Sequence, residues 1–341
     1  MNIKLVAPLA LLLLGACDGN PFLDEEVPIV DPDLPPGLPG TDSPSPNRPI
    51  TRLEDKGEDG TATEGNGFAE GFTYNSGDNT YTVDNLGFDG ANSYGAGVAL
   101  ATLGSYNVYE ATATEIDPDT GVAIPQFLHR MVAGISSTGR TEFAIVRTGA
   151  YRGYGFGGFV LKRNDAVVLP TTQQAAYSGD YAGVRDFNGV PGLEYATGDM
   201  TVAIDFEDFN DGDAVQGQVT NRQVFDVDGN NITASILDAM DEKFDPDDIV
   251  GPSTDLPTLV FKVGPGVIDV NGEIRGFLDS AVVDYSGDLP EVVTYEDGQY
   301  YAIVSGPNAD EVVGIIVVEA EDPRLDGVTV RETGGFILYR P

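Results

Sequence analysis

The chain has 341 residues, room for two domains of ordinary size, and sets 18 Lys and Arg against 55 Asp and Glu for a formal charge of −37. That balance excludes a nucleic-acid partner, whose footprint is basic, and excludes a polybasic hold on anionic lipid. One histidine and one cysteine exclude a histidine or thiolate metal cluster and an internal disulfide.

Residues 1–16 read as a signal peptide. Lys4 gives a positive start, and Leu5 to Leu14 form an apolar run of ten residues, well short of the about 20 that a spanning helix needs. Leu14-Gly15-Ala16-Cys17 resembles the lipobox of bacterial lipoproteins. The resemblance implies cleavage before Cys17 and a covalent lipid on its sulfur; more than one fatty chain, at about 0.8 kcal/mol per buried methylene, gives stable anchoring. The plainer alternative is a secretory signal with an incidental cysteine. Asp18 resembles an inner-membrane retention signal of some enteric bacteria, a rule that does not transfer generally, so the choice of membrane stays open.

Residues 17–66 hold nine prolines between Pro21 and Pro49, mixed with Asp, Gly and Ser and without apolar periodicity. The expectation is a disordered tether, because such a segment buries too little surface to offset its ordering entropy.

From residue 67 the pattern changes to short runs of Val, Ile, Thr, Tyr and Phe broken by Gly, Asn and Asp, which predicts an all-β fold. In residues 67–174 strands are expected at Phe72–Tyr74, Thr80–Val83, Val108–Ala113, Phe127–Ile135, Thr141–Arg147 and Gly155–Lys162, with a turn at Asp117–Gly121. The polar stretch Thr171–Gln174 suggests a boundary. In residues 175–341 eight strands are expected: Ala176–Asp186, Gly198–Phe206, Ala214–Val227, Thr258–Gly264, Gly272–Val282, Gln299–Ser305, Asp310–Ala320 and Val328–Leu338. Eight strands with mostly short turns suit an antiparallel up-and-down β-barrel. Met200–Phe206 alternates apolar and polar positions, giving one dry and one wet face, without the apolar outer band of a membrane barrel. Ile232, Ile236, Leu237 and Met240 recur at helical spacing and predict a short helix over Asn231–Lys243.

Five segments carry candidate chemistry. His129, in a strand-like run, is a haem ligand candidate together with Tyr109, Tyr151 or Tyr154; the plainer reading is an ordinary strand histidine. Arg147, Tyr151, Arg152 and Tyr154, in a Gly-rich aromatic stretch, have the residue types of a binding hot spot, or of packing between domains. The turns at Asp208–Asp213 and Asp226–Asn231, notably Asp226, Asp228 and Asn230, offer oxygens for calcium, or serve hairpins that need such residues. Gly306-Pro307-Asn308-Ala309 is a turn signal, with Glu311 placed to bond backbone near it. Nothing demands a cofactor beyond the lipid on Cys17, and no motif indicates an enzyme.

Tyr177-Ser178-Gly179-Asp180-Tyr181-Ala182-Gly183, Met200–Phe206, Gly306-Pro307-Asn308-Ala309-Asp310-Glu311-Val312-Val313-Gly314 and Gly334-Gly335-Phe336 together resemble the barrel domain of the transferrin-binding protein B family of surface lipoproteins. The resemblance covers about residues 175–341. It implies a strand-rich, handle-like domain over 67–174, followed by a barrel, on an outer-membrane lipid anchor facing the surface or the periplasm. It also implies a protein or small-molecule ligand, with iron or haem acquisition among the possibilities, and a TonB-dependent receptor or surface-lipoprotein translocator as a further partner. The chain departs from the family in having room for one lobe instead of two, and no partner-binding residue can be matched. The alternatives are a structural envelope lipoprotein without a soluble ligand and, last, an exported hydrolase.

Overall fold

The computed structural model describes residues 34–56, 67–86, 93–111, 115–116, 119–120, 123–124, 128–149, 153–207, 215–262 and 267–341. These form an all-β molecule with one helix among the described residues: an open, curled sheet followed by a closed eight-stranded antiparallel barrel.

The N-terminal sheet comprises β1 (Ile50–Leu53), β2 (Gly71–Asn75), β3 (Thr80–Asp84), β4 (Ser93–Ala96), β5 (Thr102–Leu103), β6 (Tyr106–Ala111), β9 (His129–Ile135), β10 (Thr141–Arg147) and β11 (Gly157–Arg163). Its order is β1-β11-β10-β9-β6-β4-β3-β2, with β5 paired to β6; β7 (Glu115–Ile116) and β8 (Ala123–Ile124) make a separate ribbon. In β10 every residue but Glu142 is buried, because both faces are covered. Phe143 and Ile145 face the barrel, while Ala144 and Val146 face the curl of β2–β4, where Phe72, Tyr81 and Tyr94 close a second core.

The expected tether needs correction at its C-terminal part. β1 pairs with β11 from Ile50↔Arg163 to Leu53↔Val160, and residues 34–56 belong to the fold. The prolines take part as acceptors: the Pro39 carbonyl receives the Leu53 N–H at 3.0 Å and the Pro46 carbonyl that of Val167 at 2.7 Å. The buried Arg163 guanidinium donates to the carbonyls of Ser45 (2.9 Å) and Arg48 (3.1 Å). A four-residue strand stabilised by a distant edge leaves no periodic signal of its own. Residues 17–33 and 57–66 of that segment, Cys17 included, lie outside the described residues.

The barrel runs β12 (Gln174–Phe187), β13 (Leu193–Asp205), β14 (Val215–Asp226), β15 (Leu259–Phe261), β16 (Glu273–Asp284), β17 (Glu291–Ser305), β18 (Glu311–Glu321) and β19 (Thr329–Tyr339), closed by β12 against β19. All eight expected strands are present. β17 starts eight residues before the expected Gln299, because the acidic run from Glu291 pairs with β16. β15 is only three residues long and joins β14 to β16 through two residue pairs on each side. The helix α1 (Thr233–Phe244) touches both β14 and β16, and buries Ile236, Leu237 and Met240 against Val224, Val282 and Tyr295.

The barrel is filled. At one end Tyr177, Phe206, Phe261, Tyr300 and Phe336 occupy the interior, with Phe261 and Tyr300 stacked at 3.6 Å. The Phe336 ring lies where a side chain on Gly314 would stand, which is why a glycine is needed there. At the other end paired ions replace rings. Arg222 donates to both oxygens of Glu296 at 2.6 Å and to Glu332 at 3.1 Å, while Arg185 meets Glu194 at 2.6 Å. Burial alone would favour neutral forms, but the mutual charges outweigh it and hold Arg222 above, and Glu296 below, their ordinary values. The exposed wall carries Gln174, Ser178, Thr201, Gln216 and Gln218, a composition that belongs in water.

Candidate functional site

The seam between sheet and barrel holds Arg147, Tyr154 and Glu311 of the residues singled out by the sequence. Strands β9–β11 lie against β12 and β17–β19. Ala182, Val184, Tyr195, Ile315 and Ile337 point outward from the barrel wall and are buried by Tyr106, Phe143, Ile145 and Phe159 of the sheet. Full burial of a Val, Ile or Phe side chain contributes about 1.5–3 kcal/mol. Phe143 rests directly on Gly335, so close that a Cβ there would collide with the ring. The Tyr106 hydroxyl donates to the Asp180 carbonyl at 2.7 Å and accepts the Ile337 N–H at 2.7 Å.

A buried ion cluster pins three parts of the chain together. Arg147, at the end of β10, donates to both oxygens of Glu54 at 2.9 Å and to the Thr333 hydroxyl at 2.7 Å. Arg331 of β19 donates to Asp186 of β12 at 2.8 and 3.2 Å, and its guanidinium lies 4.1 Å from the centre of the Tyr154 ring. Asp186 stands 3.9 Å from Arg147, which joins the two pairs. Desolvation works to raise the Glu54 carboxyl, but the charge and hydrogen bonds of Arg147 prevail and hold it below the usual value. Arg147 and Tyr154 are therefore inside the molecule, 0% and 3% exposed. Tyr151 and Arg152 lie outside the described residues.

The hairpin motif makes a second joint. Gly306 (φ +97°) and Ala309 (φ +50°) turn the chain between β17 and β18, and Ala309 N–H donates to the Gly306 carbonyl. The Tyr177 hydroxyl donates to the Ala309 carbonyl from inside the barrel. Pro307 and Asn308 form the turn itself. Glu311 differs from its expected role: its buried carboxylate accepts the hydroxyls of Thr138 (2.6 Å), in the β9–β10 turn, and of Thr141, the first residue of β10. Arg140 of the same turn meets Asp310 at 3.0 Å. The motif thus docks the sheet onto the barrel, and the partner threonines carry no signal in the sequence.

His129 is fully buried on β9, edge-on to Tyr94. Asp226 spends its oxygens within its own turn, accepting from Asp228 N–H (3.0 Å), Asn230 N–H (2.8 Å) and the Asn230 amide (2.8 Å). The hydrogen bonds from Asn230 lower its carboxyl. Asp269-Val270-Asn271-Gly272-Glu273 repeats the arrangement, with Asp269 accepting from Asn271 and Glu273. The same turn chemistry at two hairpins accounts for the residues without an ion. Among the described residues no three or more His, Cys, Asp or Glu gather as metal ligands, and the loop Asp208–Asp213 lies outside them. No helix of the described residues is long and apolar enough to cross a membrane.

Two grooves open along the seam. One, about 440 Å³, has Leu38, Phe159, Val317 and the Tyr301 ring as its floor and Asp55, Asp297 and Glu319 on its rim. Burial, with the nearby Asp55 and Glu54 charges, pushes the Tyr301 hydroxyl up to about 12. The other, about 400 Å³, lies between the Leu100–Gly104 stretch and β12–β14, with Asp180, Asp199 and Asn221 among its walls.

No protein-family model matches the chain, and no curated protein sequence matches it. Among solved structures, a double mutant of the vaccine antigen Transferrin Binding Protein B (TbpB) from Haemophilus parasuis Hp5 aligns over 80% of this chain and 42% of its own, at 14% identity and TM-score 0.36. A single mutant of the same protein aligns over 71% and 39%, at 16% identity and TM-score 0.34. Isotype 1 TbpB from serogroup B Neisseria meningitidis aligns over 86% and 56%, at 10% identity and TM-score 0.31. The chain spans about half or less of the length of these proteins, and likeness of this size assigns neither family nor partner.

Proposed function

We propose that this protein is a non-catalytic lipoprotein, anchored in the outer membrane through Cys17, that binds a protein ligand on the outside of its sheet-and-barrel body. The observation that carries the binding mode is the filled barrel. Stacked rings at one end and paired ions at the other occupy the interior, which supports recognition on the outer surface, where the seam grooves lie. Leu14-Gly15-Ala16-Cys17 supports the anchor, and residues 18–33, with Pro21, Pro28 and Pro32, support a short spacer between the membrane and the body. A role in nutrient uptake, beside a TonB-dependent receptor or a surface-lipoprotein translocator, is the finer form of this reading.

Protease shaving of intact cells, combined with cross-linking on the cell surface, tests it. The proposal expects the body to be shaved from whole cells and a defined protein to cross-link to it, with both lost in Cys17→Ser. A body that is protected in intact cells and cross-links to nothing would support a structural envelope role instead.

A further inference from the structure

The groove between the Leu100–Gly104 stretch and the barrel opens where the barrel wall is irregular. Thr197 and Asp199 of β13 pair with Gln223 and Thr220 of β14, so Asn221 and Arg222 together stand opposite Gly198. This is a β-bulge, which re-aims side chains and recurs beside binding sites. Asn221 is left-handed there (φ +51°), a conformation that asparagine tolerates better than most residues. Arg222 turns into the barrel onto Glu296, and Asn221 turns out to the groove, where its amide donates to Asp199 at 2.6 Å. Gly198 lets the bulge close: a Cβ there would stand 2.7 Å from the Val219 side chain.

The polar wall continues across three strands. Asp180 of β12 is the direct cross-strand partner of Asp199. Each carboxylate is steered through its Oδ2 atom, Asp180 by the Ser105 N–H of the sheet at 2.8 Å and Asp199 by Asn221. Gln223 follows Asn221 on the exposed face, beside Thr197, and Thr102 faces them from the sheet. Leu100, Leu103 and the half-buried Phe225 add carbon surface, and about 400 Å³ is open, within the range of small-ligand sites.

The mixture selects by chemistry. Carboxylates accept, while Asn and Gln amides and Thr hydroxyls both donate and accept. Neighbouring hydroxyls of a sugar ring also donate and accept, at a fixed spacing that suits planar carboxylates and amides. The C–H face of the ring is apolar enough to lie on Phe225 and Leu100. Asp180 and Asp199 disfavour an anionic ligand, and a bare cation has no use for the carbon surface. We propose that this groove binds a neutral saccharide of about disaccharide size. Asp180, Asp199, Asn221 and Gln223 hold its hydroxyls, and Phe225 meets its ring face. This goes beyond the reading of the molecule as a protein binder and is tested separately from it.

The test uses the full chain, purified from membranes in a polyoxyethylene detergent that carries no sugar. The probes are maltose, cellobiose, lactose, mannobiose and N,N′-diacetylchitobiose, screened by saturation-transfer NMR and measured by calorimetry. At least one is expected to bind, and 3′-sialyllactose, an anionic comparison, is expected to bind more weakly than lactose. Asn221→Gly suits the left-handed backbone and removes only the side chain. It is expected to weaken the bound disaccharide by about fivefold or more, through the lost amide and the freed Asp199. Asp199→Asn, which keeps the shape and replaces an acceptor by a donor, is expected to weaken it similarly. Asp288→Asn, in the distant β16–β17 turn, is expected to change it less than about twofold.

Failure of every probe to bind at up to about 10 mM would overturn the proposal. So would binding that both groove variants leave unchanged, or binding that disappears with a chelator, which would mark the aspartates as an ion site.

Discussion

At one end of the barrel Tyr177, Phe261, Tyr300 and Phe336 fill the interior with rings; at the other Arg185, Arg222, Glu194, Glu296 and Glu332 fill it with paired charge. Both ends are closed to solvent, yet they respond to damage differently. An apolar core loses stability in proportion to what is removed. A buried ion cluster is indifferent while complete and costly when one member is missing, because the partner left behind keeps its desolvation penalty. The charged end also touches the seam, where Arg185–Asp186 on β12 and Arg331–Glu332 on β19 send one charge inward and the next outward to the sheet.

The sharpest way to test that contrast is by single deletion and joint replacement. Arg222→Ala leaves Glu296 and Glu332 without their main partner and is expected to lower unfolding free energy by about 3–5 kcal/mol in chemical denaturation. Phe336→Ala, at the other end, is expected to lose about as much, 3–5 kcal/mol, through its cavity. The ends separate in the joint replacement Arg222→Met, Glu296→Leu, Glu332→Leu, which is expected to recover most of the Arg222→Ala loss. If it recovers nothing, the charged end is a specific requirement of the fold and the comparison breaks.

A smaller effect follows from pH. The carboxyls of Glu54, Glu296 and Asp322 lie below their ordinary values in the folded state: burial opposes this, and the arginines beside them overcome it. Depressed carboxyls contribute stability that is present above their unfolded values and is lost as pH falls through the folded ones. The midpoint of denaturation is therefore expected to hold near neutrality and to fall below about pH 4. The Met-Leu-Leu variant should show a shallower acid decline. Equal decline in both would place the acid sensitivity outside the barrel's charged end.

The smallest effect belongs to the ring end. The Tyr300 hydroxyl is buried and has no hydrogen-bond partner among the described residues. Tyr300→Phe is expected to raise stability by about 1 kcal/mol, read from the same denaturation curves; a loss would mean that the hydroxyl is satisfied by water.

The strands were legible in the sequence because alternation in runs such as Met200–Phe206 is a local signal, and the turn residues at Gly306 and Asn308 are local too. β1 was not, since Ile50–Leu53 becomes a strand only beside the edge of β11. The seam was half legible. Arg147 and Tyr154 stood out by type, but their partners Glu54, Asp186 and Arg331 are distant in sequence and blend into an acidic chain. One signal was available: Arg185-Asp186 and Arg331-Glu332 interrupt apolar alternation with opposite charges on adjacent residues, which in a strand means charge on both faces. The grooves had no sequence signal, because Asp297 and Glu319, like Asp180 and Asp199, face each other only through register.

The claim on which the rest depends is the lipid anchor, and the mass of the mature N-terminus, taken from protein extracted from membranes, tests it most directly. The account predicts a chain that begins at Cys17 and carries at least two fatty acyl groups. A chain recovered free in the medium, with an unmodified Cys17 thiol, would contradict it.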